Sequence, residues 1–314
     1  MKITLTGALG HIGSRMIREL PNHFDNLEIV MIDDFSTQRY ASLFDLPASA
    51  RYRFIEGDVT EMDLSDAVRD TDAVIHLAAI TDAAGSFDKA DQVEKQNFAA
   101  TQNVAQACID CRVPLIYPST TSVYGTQNEI VDEDCYEEDL KPQSPYAETK
   151  LKEEALLTEM AQAGNLRHVT FRFGTIFGTA PGMRFHTAVN KFCFQAVMGQ
   201  NLTVWSTALD QKRPYLDLGD AVDVVVHTIE SGLFDGSIYN VLSVNATVRQ
   251  VVDAIRVHVP DLEISYVDTR IMNQLSYEVI AEKISAQGFS PKGDLESGIE
   301  ATIKQLRRAG SARG

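Results

Sequence analysis

Apolar, β-branched runs alternate with segments of helical periodicity through the first 175 positions. "KITLTG" precedes the helix-period "GSRMIREL"; "LEIVMID", "YRFIEGD", "AVIHLAA", "VPLIYPS" and "RHVTFRF" follow, each separated by enough chain for a crossover helix. Near-continuous apolar strands are covered on both faces, and helical crossovers make neighbouring strands parallel. The pattern predicts an α/β chain built on a doubly wound parallel sheet. Beyond residue 175 the rhythm loosens. "GTAPGM" is a turn cluster, and the less regular elements after it predict a smaller C-terminal α/β lobe. "RPYLDLGDAVDVVVHTIES" predicts a strand, a cap at Asp217 or Asp220, and a helix that returns to the first lobe. "TQNVAQACIDC" reads as helix and "RRAGSARG" as a frayed tail.

The first strand runs into "TGALGHIG", with Gly7, Gly10 and Gly13 between it and the first helix. Glycines there allow a tight turn and let backbone N–H groups approach a pyrophosphate at the positive end of the helix. Asp33 follows Gly13 by 20 residues at the end of the second strand, where a carboxylate suits the adenosine ribose hydroxyls. A carboxylate repels a 2′-phosphate and no arginine follows until Arg39, so NAD is expected rather than NADP. Asp58 and Val59, at the third strand end, are expected beside the adenine. The small residues of "HLAA" suit close backbone approach to the cofactor; ordinary turn and packing chemistry is the alternative for both.

"SPYAETK" places Tyr146 and Lys150 four apart, on one helical face. A cation beside a phenol stabilises the phenolate, which lowers its pKa toward working pH and makes it a usable general base.

With these elements in order, the chain resembles the extended short-chain dehydrogenases/reductases, in their NAD-dependent nucleotide-sugar epimerase and dehydratase group typified by UDP-glucose 4-epimerases. The matching stretches are "TGALGHIG", "DDFST", "GDVT", "HLAA", Asn97 with Thr101 in "QNFAATQNV", "STTSVYG", "SPYAETK" and "FRFGTIFG", with fainter matches at "KRPYLDLGDAV" and "GFSP". The resemblance implies an NAD-binding Rossmann domain over 1–175, with 212–243 packing back on it, a substrate-binding lobe over 176–314, and a homodimer formed by a helix bundle. It implies that NAD is held by Gly7, Gly10, His11, Ile12, Gly13, Asp33, Asp34, Ser36, Thr37, Asp58, Val59, Leu77, Ala78, Ala79, Asn97, Tyr146, Lys150 and Phe173. Ala100 stands where the family usually has glycine.

The family's catalytic Ser or Thr precedes the tyrosine of "VYG" by four, which is Thr120 here, 26 residues before Tyr146. The resemblance implies that Thr120 hydrogen-bonds the reacting sugar hydroxyl, Tyr146 is the base, and Lys150 supports both Tyr146 and the nicotinamide ribose. Dehydratases of the group place Asp and Glu directly after that Thr, because elimination of water needs a general acid and a second base. Thr121 and Ser122 stand there instead, which disfavours 4,6-dehydration; they also read as strand-end hydroxyls bonded to local backbone. Thr81, Thr120, Thr121, Tyr146, Thr175, Arg184, His186, Arg213 and Arg270 are the implied substrate residues. Arg213 and Arg270 occupy the places of diphosphate-binding arginines, while Arg184 and His186 line the sugar or diphosphate pocket or belong to a surface loop. Thr175 replaces the asparagine of the sugar epimerases' usual "RYFNVYG".

Composition narrows the classes. The 44 acidic against 28 basic residues give a net charge of −16, which argues against nucleic acid, whose phosphates need cations in excess. The six acids of "DEDCYEED" read as a solvated loop. Cys108, Cys111, Cys135 and Cys193 read as structural thiols, and the seven scattered histidines offer no metal-ligand spacing. No apolar run is long enough for a membrane span, and the N-terminus lacks the pattern of an export leader, so a cytoplasmic location is expected. An epimerase of a nucleotide-sugar is the leading expectation. A net dehydrogenase of a small hydroxylated substrate such as threonine, or a nucleotide-sugar reductase or decarboxylase, is the alternative. A noncatalytic NAD sensor is disfavoured because Tyr146 and Lys150 are both kept.

Overall fold

A computed structural model describes residues 1–81, 90–125, 129–135, 140–164, 166–267 and 276–308. The chain begins β1 (Lys2–Thr6), α1 (His11–Glu19), β2 (Glu28–Asp33), β3 (Arg51–Glu56), α2 (Ser65–Val68), β4 (Ala73–His76), α3 (Ala90–Cys111) and β5 (Leu115–Thr120). It continues β6 (Ile130–Val131), α4 (Pro145–Gln162), β7 (His168–Phe173), β8 (Thr175–Phe177), α5 (Ala188–Val197), β9 (Leu202–Trp205), β10 (Lys212–Asp217) and α6 (Leu218–Ser231). The remaining elements are β11 (Ile238–Val241), β12 (Val244–Thr247), α7 (Val248–His258), β13 (Ile264–Val267), β14 (Glu278–Val279), α8 (Glu282–Ala286) and α9 (Leu295–Arg307).

Among the described residues the central sheet has seven strands in the order β11-β7-β5-β4-β1-β2-β3. Every neighbouring pair is parallel, as the apolar runs predict. One face is covered by α1 and α6 through Met16, Ile17, Val222 and Val225. The other is covered by α3 and α4 through Val104, Cys108 and Leu157. This is the doubly wound α/β architecture. The order reverses between β1 and β4, and in such sheets ligands bind beyond the carboxyl ends of the strands at that reversal. Register aligns those ends: Thr6 is opposite both Ile32 and His76, and Thr120 is opposite Phe173.

The chain after β7 builds smaller sheets, β12-β10-β8, β13-β9 and β14-β6. A separate apolar cluster ties α5, α7 and α9 to β9 through Phe192, Leu202, Val252 and Ile299. Residues 212–241 serve both regions: β10 pairs with β8, α6 packs on the main sheet, and β11 becomes that sheet's edge strand. Asp217 caps α6, its carboxylate accepting from the Gly219 N–H at 2.7 Å.

The cysteines are free, with Cys108 and Cys193 buried. No helix among the described residues is long and apolar enough to cross a membrane.

Candidate active site

The loop after β1 is shaped by backbone crowding. Gly7 has φ of +64°, and a Cβ on it would lie 2.6 Å from the backbone of Leu77 and Ala78 at the end of β4. A Cβ on Gly13 would lie 2.6 Å from the carbonyl oxygens of Gly7 and Ala8. The first turn of α1 is thereby pressed against the loop. Gly10 at the N-cap offers no side-chain acceptor, so the leading N–H groups at His11 and Ile12 point out of the helix start uncapped. Such a terminus accepts an anion.

Asp33 is fixed beside it, accepting from Leu9 N and Phe35 N at 3.1 Å each. Burial raises its pKa despite those donors. Asp34 accepts from Ser36 N at 2.9 Å, and Ser36 and Thr37 lie in the exposed turn that follows. Asp58 accepts from Thr60 N and its hydroxyl at 2.8 Å each, closing a turn; Val59 O is held by Asn103 at 2.8 Å. Asn97 of α3 grips the loop after β4, accepting from Ile80 N at 2.8 Å and donating to Ile80 O at 3.0 Å. Leu77, Ala78 and Ala79 are therefore held against the glycine loop. Ile12 packs into the core under it, and Phe173 is buried at the end of β7.

The segment after β8 crosses this loop. His11 bonds Gly178 O at 2.8 Å through Nε2, and Gly182 N donates to Ser14 Oγ at 2.9 Å. Burial pushes His11 down to about 4, so it is neutral and Nε2 is the donor. Arg184 donates to Thr81 Oγ1 and is a Coulombic neighbour of both His11 and Tyr146. His186 is exposed and faces His11 more weakly.

Helix α4 starts where its sequence dictates. Ser144 accepts from Ala147 N at 3.2 Å as the N-cap, Pro145 occupies the first turn, and Glu148 complements the helix dipole. That start puts Tyr146 and Lys150 on the face toward β5. Lys150 Nζ lies 6.0 Å from the centre of the Tyr146 ring. It donates to Tyr117 OH at 2.9 Å and approaches Glu153 Oε2 at 3.4 Å. Thr120 ends β5 with its hydroxyl donating to Ser122 Oγ and accepting from Ser122 N, both at 3.2 Å. The Thr121 hydroxyl is turned back to Phe173 O at 3.3 Å.

One expectation is corrected. Lys150 does lower the pKa of Tyr146, but burial is the larger effect and the phenol sits above its ordinary value. The ammonium is shared with Tyr117 and Glu153, so its pull on Tyr146 is partly cancelled.

Arg213, on β10, lies 5.3 Å over the Tyr277 ring, whose hydroxyl donates to Thr121 O at 3.3 Å. This places Arg213 one aromatic ring away from the β5 end. Thr175 opens β8 opposite Tyr215 on that strand. Arg270 lies outside the described residues.

Residues 3–241 match the family described as the NAD dependent epimerase/dehydratase family. The chain belongs to that family. NAD is the family's cofactor, and the uncapped helix start, the crowded glycines and Asp33 fit it. Among curated proteins, the chain is 28% identical to the low-salt glycan biosynthesis protein Agl12 of Haloferax volcanii, over 96% of this chain and 97% of that one. It is 27% identical, over 96% of its length, to the trifunctional UDP-glucose 4,6-dehydratase/UDP-4-keto-6-deoxy-D-glucose 3,5-epimerase/UDP-4-keto-L-rhamnose-reductase RHM1 of Arabidopsis thaliana, and spans 46% of that longer protein. A structure of UDP-glucuronic acid 4-epimerase from Bacillus cereus with UDP-glucuronic acid and NAD superposes with a TM-score of 0.86. It is 26% identical, and the match covers 98% of this chain and 100% of that one. Relatives in this family thus include both epimerases and dehydratases.

The motifs that carry the family match include His76 and Thr101 but leave out Tyr117 and Glu153, the two that touch Lys150. Tyr117, Thr101, His76 and Glu153 form a buried network against the lysine. For Glu153 a signal was available: at three residues past Lys150 it shares that helical face.

Proposed function

We propose that this family member is an NAD-dependent epimerase that inverts C4 of a UDP-linked hexose or uronic acid, most favourably the acid. The observation that carries the reading is the chemistry around Thr120. The two positions after it bear hydroxyls, and the nearby carboxylates of α4 are committed elsewhere. Glu153 accepts from Thr101 and Tyr117 at 2.5 and 2.7 Å, and Glu154 from Ser119 and Arg172 at 2.5 and 2.7 Å. Elimination of water lacks its acid and second base there, whereas epimerisation needs only a proton moved at one hydroxyl.

In this reading Thr120 orients the C4 hydroxyl and Tyr146 takes its proton, later returning it. Lys150 holds the phenolate, and its remaining N–H is available to the nicotinamide ribose. NAD, when bound, supplies the acceptor and then the donor of the C4 hydride. Residues 1–175 with 212–243 hold the cofactor, and 176–314 contribute the substrate side. Arg213 serves the diphosphate, since a guanidinium matches phosphate oxygens. Arg184 puts a cation near Tyr146 that suits a sugar carboxylate. A cytoplasmic homodimer completes the reading.

The test follows UDP-glucuronic acid and UDP-glucose separately by NMR, with absorbance at the NADH band recorded in parallel. The expected result is the C4 epimer, faster from the acid, with no net NADH. Stoichiometric NADH would instead mark a dehydrogenase, and a 4-keto-6-deoxy product a dehydratase.

A further inference from the structure

A buried carboxylate lies against Lys150 as well. Glu153 is 1% exposed and Lys150 4% exposed. Thr101 donates to Glu153 Oε1 at 2.5 Å, and Tyr117 donates to Oε2 at 2.7 Å, the oxygen that Lys150 approaches at 3.4 Å. The bonding directions are fixed beyond this pair. Because the one Thr101 proton goes to Glu153, its oxygen must accept from His76 Nε2 at 3.3 Å. His76 therefore carries its proton on Nε2, and its Nδ1 accepts from the Thr6 hydroxyl at 2.7 Å. Thr6 in turn accepts from Ala78 N at 3.3 Å, on the strand end against which Gly7 is packed. Desolvation, and then the Lys150 charge, hold His76 neutral with a pKa of about 3.

A run of hydrogen bonds thus starts at the cofactor loop, passes through β1, β4 and α3, and ends on the carboxylate beside Lys150. A buried carboxylate is costly to keep unless its partners use it. We propose that Glu153 is a positioning residue that acts through Lys150 to set the pH range over which Tyr146 exchanges its proton. The proposal rests on Tyr146 and Lys150 being the proton-handling pair.

The titratable groups that Tyr146 meets come from three elements. Lys150 and Glu153 lie on its own helix, Arg184 on the segment after β8, and the neutral phenol of Tyr117 on β5. Lys150 and Arg184 favour the phenolate, and Glu153 opposes it. Glu154, next on α4, is neutralised by Arg172 of β7. His76 on β4 is neutral. Removing the Glu153 charge leaves the cations uncompensated, so the phenol should ionise at lower pH.

The experiment titrates tyrosinate ultraviolet absorbance in the NAD-loaded protein, taking Tyr146→Phe as the blank, and records kcat/KM against pH with UDP-glucuronic acid. For Glu153→Gln the Tyr146 ionisation and the acid limb of the profile move down by about one pH unit, the lower end of what a nearby charge does. Glu153→Asp, which keeps the charge but withdraws it by one methylene, moves both the same way by less, and decides the matter if the glutamine variant does not fold. An unmoved or upward-shifted ionisation in folded variants, with only a lower melting temperature, overturns the proposal. Full activity of Tyr146→Phe would instead overturn the catalytic reading, leaving the ionisation shift to stand or fall alone.

Discussion

Tyr146→Phe is expected to lower kcat by roughly 10²- to 10⁴-fold, the usual worth of a positioned general base, with NAD content unchanged. The substitution deletes one oxygen and keeps the ring near Lys150, at 6.0 Å from Nζ to its centre. The glycine loop, Asp33 and Asn97, to which the proposal gives the cofactor, are untouched. Desolvation outweighs Lys150 and holds the partly buried Tyr146 phenol above its ordinary value, so its proton stays in place at rest. Activity should therefore fall on the acid side of the profile, as the phenol becomes harder to ionise with falling pH. Measuring kcat over pH beside NAD content by absorbance separates loss of chemistry from loss of cofactor. A variant with parental kcat would remove Tyr146 from the reaction.

Arg172→Met is expected to cost about 3–5 kcal/mol of stability, the range for breaking a buried ion pair. Arg172 and Glu154 are each 4% exposed. The guanidinium donates to both carboxylate oxygens, at 2.7 Å from Nη2 and 3.1 Å from Nε, and stacks 4.9 Å over the Tyr124 ring. Methionine fills much of the volume but leaves Glu154 with a buried charge and the Ser119 hydroxyl at 2.5 Å. Since whole domains have only about 5–15 kcal/mol in hand, the loss is large. Ser119 adjoins Thr120, so activity should fall as well. Denaturant unfolding of Arg172→Met and of Arg172→Met with Glu154→Leu checks the cause: the double variant should recover much of the loss.

What the sequence makes legible is local. The Ser144–Pro145 start of α4, the glycines at 10 and 13, and Asp33 at the end of β2 are set by caps, turns and strand ends within a few residues of themselves, whereas Gly7 also answers to Leu77 and Ala78 at the end of β4. The parallel sheet follows from apolar runs and crossover lengths. The layer beneath Lys150 is different in kind. Thr6, His76, Thr101, Tyr117 and Glu153 come from five elements, and only the strand order β5-β4-β1 brings them together. The same holds for the crossing segment, where Gly182 meets Ser14 across 168 positions. The sign of the Tyr146 shift was hidden for a related reason. A Tyr and a Lys four apart announce an attraction, but the larger opposing effect, desolvation, depends on tertiary burial.

The central claim is that the C4 hydrogen leaves and returns within one active site, without elimination. UDP-glucuronic acid deuterated at C4 tests it most directly, with the epimeric product examined by NMR and mass spectrometry. The expected product is an epimer of unchanged mass that retains deuterium at C4, with no NADH accumulating. Deuterium lost to solvent or to net NADH, or a product lighter by one water, would contradict it.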